Sequence, residues 1–575
     1  MIDYKEQIAN LIAERAGEKI GLAADEISDL IEIPTDRSMG DYAFPCFRLA
    51  KQLQKAPQII AAELADDMGD SALIESSIAV NAYVNFMLKR ENFIRDTLHE
   101  IACDGADYGR SSRGAGKKVL VEFSSPNIAK PFHIGHIRST VIGNSINKIY
   151  DFLGYDVERI NHLGDYGTQF GKMICAYRHW GNEDDVKKDS IGTLLSYYTK
   201  FHCEEELHPE LSDEARDIFA RLEAGEPEEV ALWQWFRDES LKEFQRVYEL
   251  LGVEFDSYAG ESFYSDKMQA VVDELEDKQL LQDSEGAKIV DLSEYNMAPA
   301  LIMKSNGSTL YITRDIAAAL YRKKHYNFYK NLYIVASQQN LHFQQWIKVV
   351  ELLGYDWAND CVHIPFGLVS LEDGTMSTRH GRVVFLKDVL NKAIEKTKEI
   401  IIEKQVNTDD VDETARKVGI GAVIFQELAN NRIKDYVFSW DKVLNFDGET
   451  GPYVQYTYAR AKSVLRKAGA DLPLSESDCD NLDCSKLTSD SAYNLLRLLY
   501  AFPEIVADAG DKYEPSIITR HIADIAKAFN KFYHDEHVLV DDEAERRAKL
   551  LLVKASAEII KTGLNLLAIE TVEKM

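Results

Sequence analysis

Two histidines three residues apart, His133 and His136, flank Gly135 in the string FSSPNIAKPFHIGHIRST that runs from Phe123 to Thr140. An apolar run, Val119-Leu120-Val121, precedes the string, and Ile137, Val141, Ile142, Ile146 and Ile149 follow near a helical period. The spacing predicts a strand, a loop and then a helix whose first turn carries both imidazoles on one face. A helix start offers unpaired N–H groups and a partial positive charge, and both suit phosphate. Gly135 lets a flat ring or a phosphate come close to the backbone. Two plainer readings compete. A bare HxxH pair is also a pair of surface histidines, or half of a zinc site that lacks a third ligand at a recognisable spacing.

The tetrapeptide His133-Ile134-Gly135-His136 is the HIGH signature of class I aminoacyl-tRNA synthetases, and the longer string resembles the arginyl-tRNA synthetases. The likeness continues through NHLGDYGTQFG (Asn161 to Gly171), LYITRDIAAAL (Leu310 to Leu320), ASQQNLHFQQ (Ala336 to Gln345) and DGETGPYVQYTYAR (Asp447 to Arg460), and on to the end at Met575. The resemblance implies a two-step reaction. Arginine and ATP give an adenylate and pyrophosphate, and the aminoacyl group then passes to the 3′-terminal ribose of tRNA(Arg). Such chemistry depends on positioning and charge stabilisation more than on a covalent nucleophile. His133 and His136 are expected to stabilise the reacting phosphate, with Gly135, His342 and Gln344 also at ATP, and Mg²⁺ arriving with the nucleotide. No all-protein metal cage is visible in the sequence.

A second phosphate-holding loop of pattern KMSKS is expected after the last strand. The matching string is Thr375-Met376-Ser377-Thr378-Arg379, in which threonines replace both lysines. In the family a lysine just before HIGH stands in for them, and Lys130 holds that place; Arg379 and Arg382 could add charge from the loop. Met376 and Ser377 are carried over as ATP contacts. The competing reading of GTMSTRHGR is a polar surface loop.

A planar guanidinium is best held by carboxylates in fork geometry. The resemblance gives that task to Asp315 and Glu261, with Tyr311 beside them; Glu122, Asn127, His162 and Gln339 complete the arginine set. Asp315 also reads as a helix N-cap ahead of an Ala-rich run. For tRNA, the resemblance implies Asn85 and Phe86 near the D-loop, and Tyr453, Tyr456, Tyr458, Arg460 and Met575 at the anticodon. Flipped bases stack on aromatics, yet tyrosines at this density also make helix core. Two other functions stay open: a class I synthetase for another amino acid, which the two carboxylates oppose, and a binding-only paralogue, which the TMSTR loop permits.

The elements that must hold these residues follow from pattern. Helices are predicted at Lys5–Ala16 and Pro57–Met68, and IAVNAYVNFML reads as a strand. Asp156–Asn161 is the next strand, a charged helical insertion spans about 183 to 255, and Ala300–Thr313 reads as a hairpin turning at Asn306-Gly307. A helix then runs from Asp315, strands follow at Leu332–Ala336 and near Val362–Val369, and from about 385 the pattern is helical to the end. The fold class is α/β: an N-terminal α+β domain (1–112), a Rossmann-like nucleotide-binding catalytic domain (113–440, with an insertion at about 183–290) and an all-helical anticodon-binding domain (441–575).

Composition sets limits. The net charge of −29 argues against nonspecific nucleic-acid binding and requires any RNA-facing cations to be grouped locally. Arg322, Lys323, Lys324 and Lys330 form one such group, and Arg460, Lys462, Arg466 and Lys467 another; each group is equally a solvated helix face. Seven scattered cysteines without a CxxC oppose a disulfide framework or a zinc knuckle, and Cys175 and Cys361 read as core. No apolar run would span a bilayer, and the N-terminus resembles neither a signal nor a transit peptide, so a cytoplasmic protein is expected; the resemblance implies a monomer.

Overall fold

The computed structural model describes residues 2–69, 71–130, 132–305, 310–371, 384–445, 448–472 and 474–575. The chain forms two compact units: Met1–Tyr108 with Ala461–Ala501 and Asp524–Ile559, and Gly109–Arg460 with Phe502–Ala523 and Ile560–Met575.

In the first unit, helix Tyr4–Ile20 starts where the Asp3 carboxylate accepts from Glu6 N, and it buries Tyr4, Ile8, Ile12 and Ala16 on one stripe. Three strands, β1 (Tyr42–Pro45), β2 (Ile74–Val80) and β3 (Tyr83–Leu88), form an antiparallel sheet in the order β1-β3-β2. The run IAVNAYVNFML is therefore a hairpin and not one strand; Asn81, at φ 54°, makes the turn. Because β3 is the central strand, Asn85 is 4% exposed and Phe86 is 0% exposed. Both side chains are buried in the sheet, away from solvent.

The second unit is built on a parallel sheet. Strands β4 (Lys118–Glu122) and β5 (Asp156–Ile160) come first. An antiparallel trio, β6 (Leu281–Ser284), β7 (Ala287–Val290) and β8 (Ala300–Met303), is inserted before β9 (Lys330–Ala336) and β10 (Cys361–Phe366). The parallel order is β10-β9-β4-β5. Val119, Leu120 and Val121 are wholly buried, as a strand covered on both faces requires. The chain leaves β4 toward β5 on one side and returns to β9 on the other, so the crevice at the carboxyl ends of β4 and β9 is a topological switch point.

The charged insertion is helical as expected, at Glu183–Lys188, Ser190–Glu205, Glu210–Glu223 and Pro227–Leu251. The hairpin over 300–313 is not formed. β8 pairs with β7, and Leu310 opens helix Tyr311–Tyr326, in which Ile312, Ile316 and Ala319 are buried at helical spacing; the Asn306-Gly307 turn lies outside the described residues. Asp315 sits in the second turn of that helix and caps nothing.

The C-terminal third is helical, at Leu386–Glu403, Val411–Ala429, Gly451–Lys467, Asp490–Lys512, Ser516–Asp535 and Glu543–Leu566, with one exception. Strands β11 (Val369–Leu371) and β12 (Tyr436–Phe438) pair in parallel and interrupt the helical reading. Cys46, Cys175, Cys361 and Cys484 are buried, Cys479 is half-buried, and Cys103 and Cys203 are exposed. No described helix is long and apolar enough to cross a membrane.

Candidate active site

The site is assembled at the carboxyl ends of β4, β5 and β9. After β4 the chain passes Asn127 and Lys130 to a 3₁₀ turn, Ile134–His136, and then to helix Ile137–Phe152. That helix lies against the strand exit so closely that a Cβ on Gly143 would stand 2.2 Å from the Phe123 side chain. His133 caps the turn. Its Nδ1 accepts from Gly135 N at 3.1 Å, and His133 N donates to His136 Nδ1 at 3.2 Å. His133 Nδ1 accepts and so carries no proton, which leaves that ring's hydrogen on Nε2, whereas His136 Nδ1 also lies 3.3 Å from His133 O and its contacts fit either tautomer. The two ring centroids are 4.0 Å apart. Burial lowers both pKa values, His136 to about 3, where His133 and Lys130 push in the same direction. The pair is thus two neutral N–H donors side by side, suited to phosphate oxygens without the cost of burying charge.

The acidic side of the crevice lies on the loop after β5, the segment around Glu261 and helix Tyr311–Tyr326. Buried Asp165 accepts from Ser262 N (2.8 Å), Ser262 Oγ (2.9 Å) and Arg237 Nε (3.2 Å), and so fixes the loop that carries Glu261. Burial raises Glu261 to about 7, with Arg314 opposing and Asp315 and Asp165 adding to the rise. Arg314 NH1 lies at ion-pair distance, 3.2 Å, from Glu261 Oε2, yet neither its NH1 nor its Nε makes a hydrogen bond among the described residues. The Arg314 guanidinium also lies 4.9 Å from the Tyr166 ring and 5.5 Å from the Tyr311 ring. An incoming cation must share or displace that side chain. Asp315 Oδ2 meets His342 Nε2 at 2.5 Å. Tyr311 stands exposed at the helix start.

Several expectations change. Glu122 accepts from Arg322 NH1 at 2.6 Å, and Arg322 NH2 meets His162 Nδ1 at 3.3 Å. Arg322 is wholly buried, so it belongs to the floor of the site and to no RNA-facing patch, and Glu122 and His162 are committed to it before any ligand arrives. His342, expected at ATP, is instead bound to Asp315. Asn127, Gln339 and Gln344 are exposed at the crevice. Met376, Ser377 and Arg379 lie outside the described residues. Arg314 and Arg322 were missed as site residues because a basic residue on an amphipathic helix looks the same in sequence whether it faces water or a carboxylate.

On helix Gly451–Lys467 the three tyrosines part. Tyr458 is 2% exposed and donates to Glu573 Oε1 at 2.8 Å, so its side chain is part of the helix packing. Tyr456 is 38% exposed with the Arg460 guanidinium 4.8 Å from its ring, while Tyr453 is half-buried. Met575 packs beside Val418, Ala459 and Val572.

Three family models match in order: "Arginyl tRNA synthetase N terminal domain" over 3–88, "tRNA synthetases class I (R), catalytic domain" over 97–440 and "DALR anticodon binding domain" over 454–575. The arginine–tRNA ligase of Halothermothrix orenii is 58% identical over 575 residues, and that of Clostridioides difficile 54%, each match covering 100% of both chains. The arginyl-tRNA synthetase structure from Thermus thermophilus superposes with a TM-score of 0.81 at 26% identity, covering 99% of this chain and 100% of that one. The Plasmodium falciparum structure gives 0.80 at 25%, covering 99% of each. Matched by these models in order along its length and 58% identical to a relative over 575 residues, the chain belongs to the arginyl-tRNA synthetase family.

Proposed function

We propose that the chain is an arginine–tRNA ligase. The observation that carries this reading is a carboxylate beside a guanidinium: Glu261 Oε2 lies 3.2 Å from Arg314 NH1, and Asp315 follows Arg314 in the chain. An arginine carboxylate oxygen attacks the α-phosphorus of ATP, and pyrophosphate leaves with the bridging electron pair. A terminal ribose hydroxyl of tRNA(Arg) then attacks the adenylate carbonyl, and AMP leaves. His133 and His136 donate Nε2–H to phosphate oxygens. Lys130, with Arg379 in the loop itself, supplies the positive charge of the two replaced lysines. Asn127 and Gln339 meet the substrate's α-amino and carboxylate groups. Mg²⁺ comes bound to ATP; the imidazoles of the HIGH turn are suited to phosphate oxygens and leave the hard cation to the nucleotide.

Family likeness supports a requirement for bound tRNA in the first step, a monomeric state and a cytoplasmic location as parts of the same reading. Tyr456, Arg460 and Met575 are assigned to the anticodon loop.

The test is arginine charging of total tRNA with ATP and Mg²⁺ by the wild type and by Lys130→Ala. Charging that collapses in the variant supports both the ligase and the substitute lysine. Charging that survives moves the missing charge to Arg379 or Arg382. No charging by either protein overturns the ligase reading.

A further inference from the structure

An ion pair that is set up but not made lies behind the HIGH turn. Arg138 follows His136 by two residues and is wholly buried. Its NH1 donates to Gly367 O (3.1 Å) and Lys434 O (2.7 Å), and its NH2 to Asn431 O (3.4 Å). These carbonyls belong to the segments that lead into β11 and β12, and β11 in turn leads to the TMSTR loop. One guanidinium therefore ties the HIGH helix to the base of the second signature loop.

The fourth side of Arg138 is different. Its Nε has no hydrogen-bond partner among the described residues. Glu427, in the last turn of helix Val411–Ala429, is 1% exposed; both of its carboxylate oxygens are also without a partner, and Oε2 is 3.8 Å from Arg138 Nε. The buried Tyr436 hydroxyl, on the ring 5.2 Å from the Arg138 guanidinium, is the fourth such atom. Native proteins rarely leave buried polar groups unpaired, and a cluster of four calls for an account. Closing the gap to a normal charged hydrogen bond takes a shift of only about 1 Å.

Helix Val411–Ala429 is coupled to the helix that carries Tyr456 and Arg460. A Cβ on Gly421 would stand 2.9 Å from Gln455 Nε2, and one on Gly451 would stand 2.9 Å from Gly421 O. Buried Gln455 donates to Lys417 O (3.2 Å) and Glu570 O (2.7 Å). Helices in such contact move together, because a packed interface does not absorb displacement.

We propose that Glu427 is a positioning residue that couples RNA on helix Gly451–Lys467 to the HIGH turn: loading shifts helix Val411–Ala429 and closes Glu427 onto Arg138, which sets His133 and His136 for reaction. This rests on the tRNA-dependent ligase reading. Burial holds Glu427 up at about 8, opposed only by Arg138; Asp435 and Glu514 face Arg138 from the neighbouring segments. The unmade pair is therefore neutral on the glutamate side near pH 7. The made pair requires its ionised form, so closure expels a proton.

The experiment compares wild type with Glu427→Gln. It measures tRNA affinity, ATP–pyrophosphate exchange with and without tRNA, melting temperature, and proton release on tRNA binding by calorimetry in buffers of different ionisation enthalpy at pH 7. The expected result has four parts. The variant melts no lower than wild type and binds tRNA within twofold. It loses tenfold or more of the tRNA-stimulated rate, and it releases about one proton fewer. Full stimulation in the variant, or unchanged proton release, overturns the proposal. Should the variant melt low, wild type alone decides, since a buffer-independent binding enthalpy overturns the coupling. Should wild type exchange equally with and without tRNA, the tRNA-dependence reading fails instead, and proton release still decides whether Glu427 responds to RNA.

Discussion

Glu261 shows what a single carboxylate does in this crevice. Its folded pKa, raised to about 7 chiefly by burial, means that a large share is protonated at neutral pH. Only the ionised form grips a guanidinium as a fork. Arginine affinity should therefore rise with pH through this value: KM for arginine falls by up to about tenfold per pH unit below it and levels off above pH 8. Steady-state kinetics from pH 6 to 8.5 checks this. Glu261→Gln should raise KM by about tenfold to a hundredfold, the worth of one charge-assisted hydrogen bond, and flatten its pH dependence. An unchanged profile in that variant would assign the titration elsewhere. His136, lowered by burial to about 3, should not contribute in this range. The sequence made Glu261, Asp315 and the HIGH pair legible through their strings. It could not show that Arg314 lies beside Glu261 or that Arg322 claims Glu122 and His162, because those facts depend on contacts far apart in the chain.

At the scale of elements, the HIGH helix has its position set by contact at Gly143. Gly143→Ala would drive a methyl into Phe123, one residue past Glu122. The expected cost is about 1–3 kcal/mol of stability, the usual range for overpacking, read by urea or thermal unfolding. Activity should fall further than stability alone explains, because the same clash displaces His133 and His136. Unfolding unchanged within about 0.5 kcal/mol would mean that the helix slides freely, against this packing. Strand–helix alternation and the insertion were readable because apolar periods there are long. Short elements were not. Asn-Gly pointed to a hairpin after β8, but Ile312, Ile316 and Ala319 can be buried together only by a helix, and tertiary burial prevailed. In the N-terminal sheet one alternating run concealed a turn, because Asn81 adopts the left-handed conformation with little penalty and leaves the alternation nearly unbroken.

For the whole molecule, charge is the governing quantity. A chain of net charge −29 that meets RNA must do so through few cations, and several are spent internally: Arg322 on Glu122, and Lys330 on the Tyr513 hydroxyl at 2.7 Å. On the proposed reading Arg460, beside exposed Tyr456, meets tRNA. Arg460→Ala should weaken tRNA binding by roughly tenfold at low salt and reduce the slope of log affinity against log salt by about 1, measured by filter binding from 50 to 200 mM salt. A lower affinity with an unchanged slope would mean that Arg460 acts through folding and not through phosphate. The cysteines give this molecule a further use. Cys103 lies in one compact unit and Cys203 in the other, and both are exposed while five thiols are buried or half-buried. Burial and the Glu476 and Asp104 carboxylates hold the Cys103 thiol above its ordinary pKa, so its alkylation gains from mildly alkaline buffer. The native chain thus carries one exposed attachment point for a dye in each compact unit without a single engineered residue.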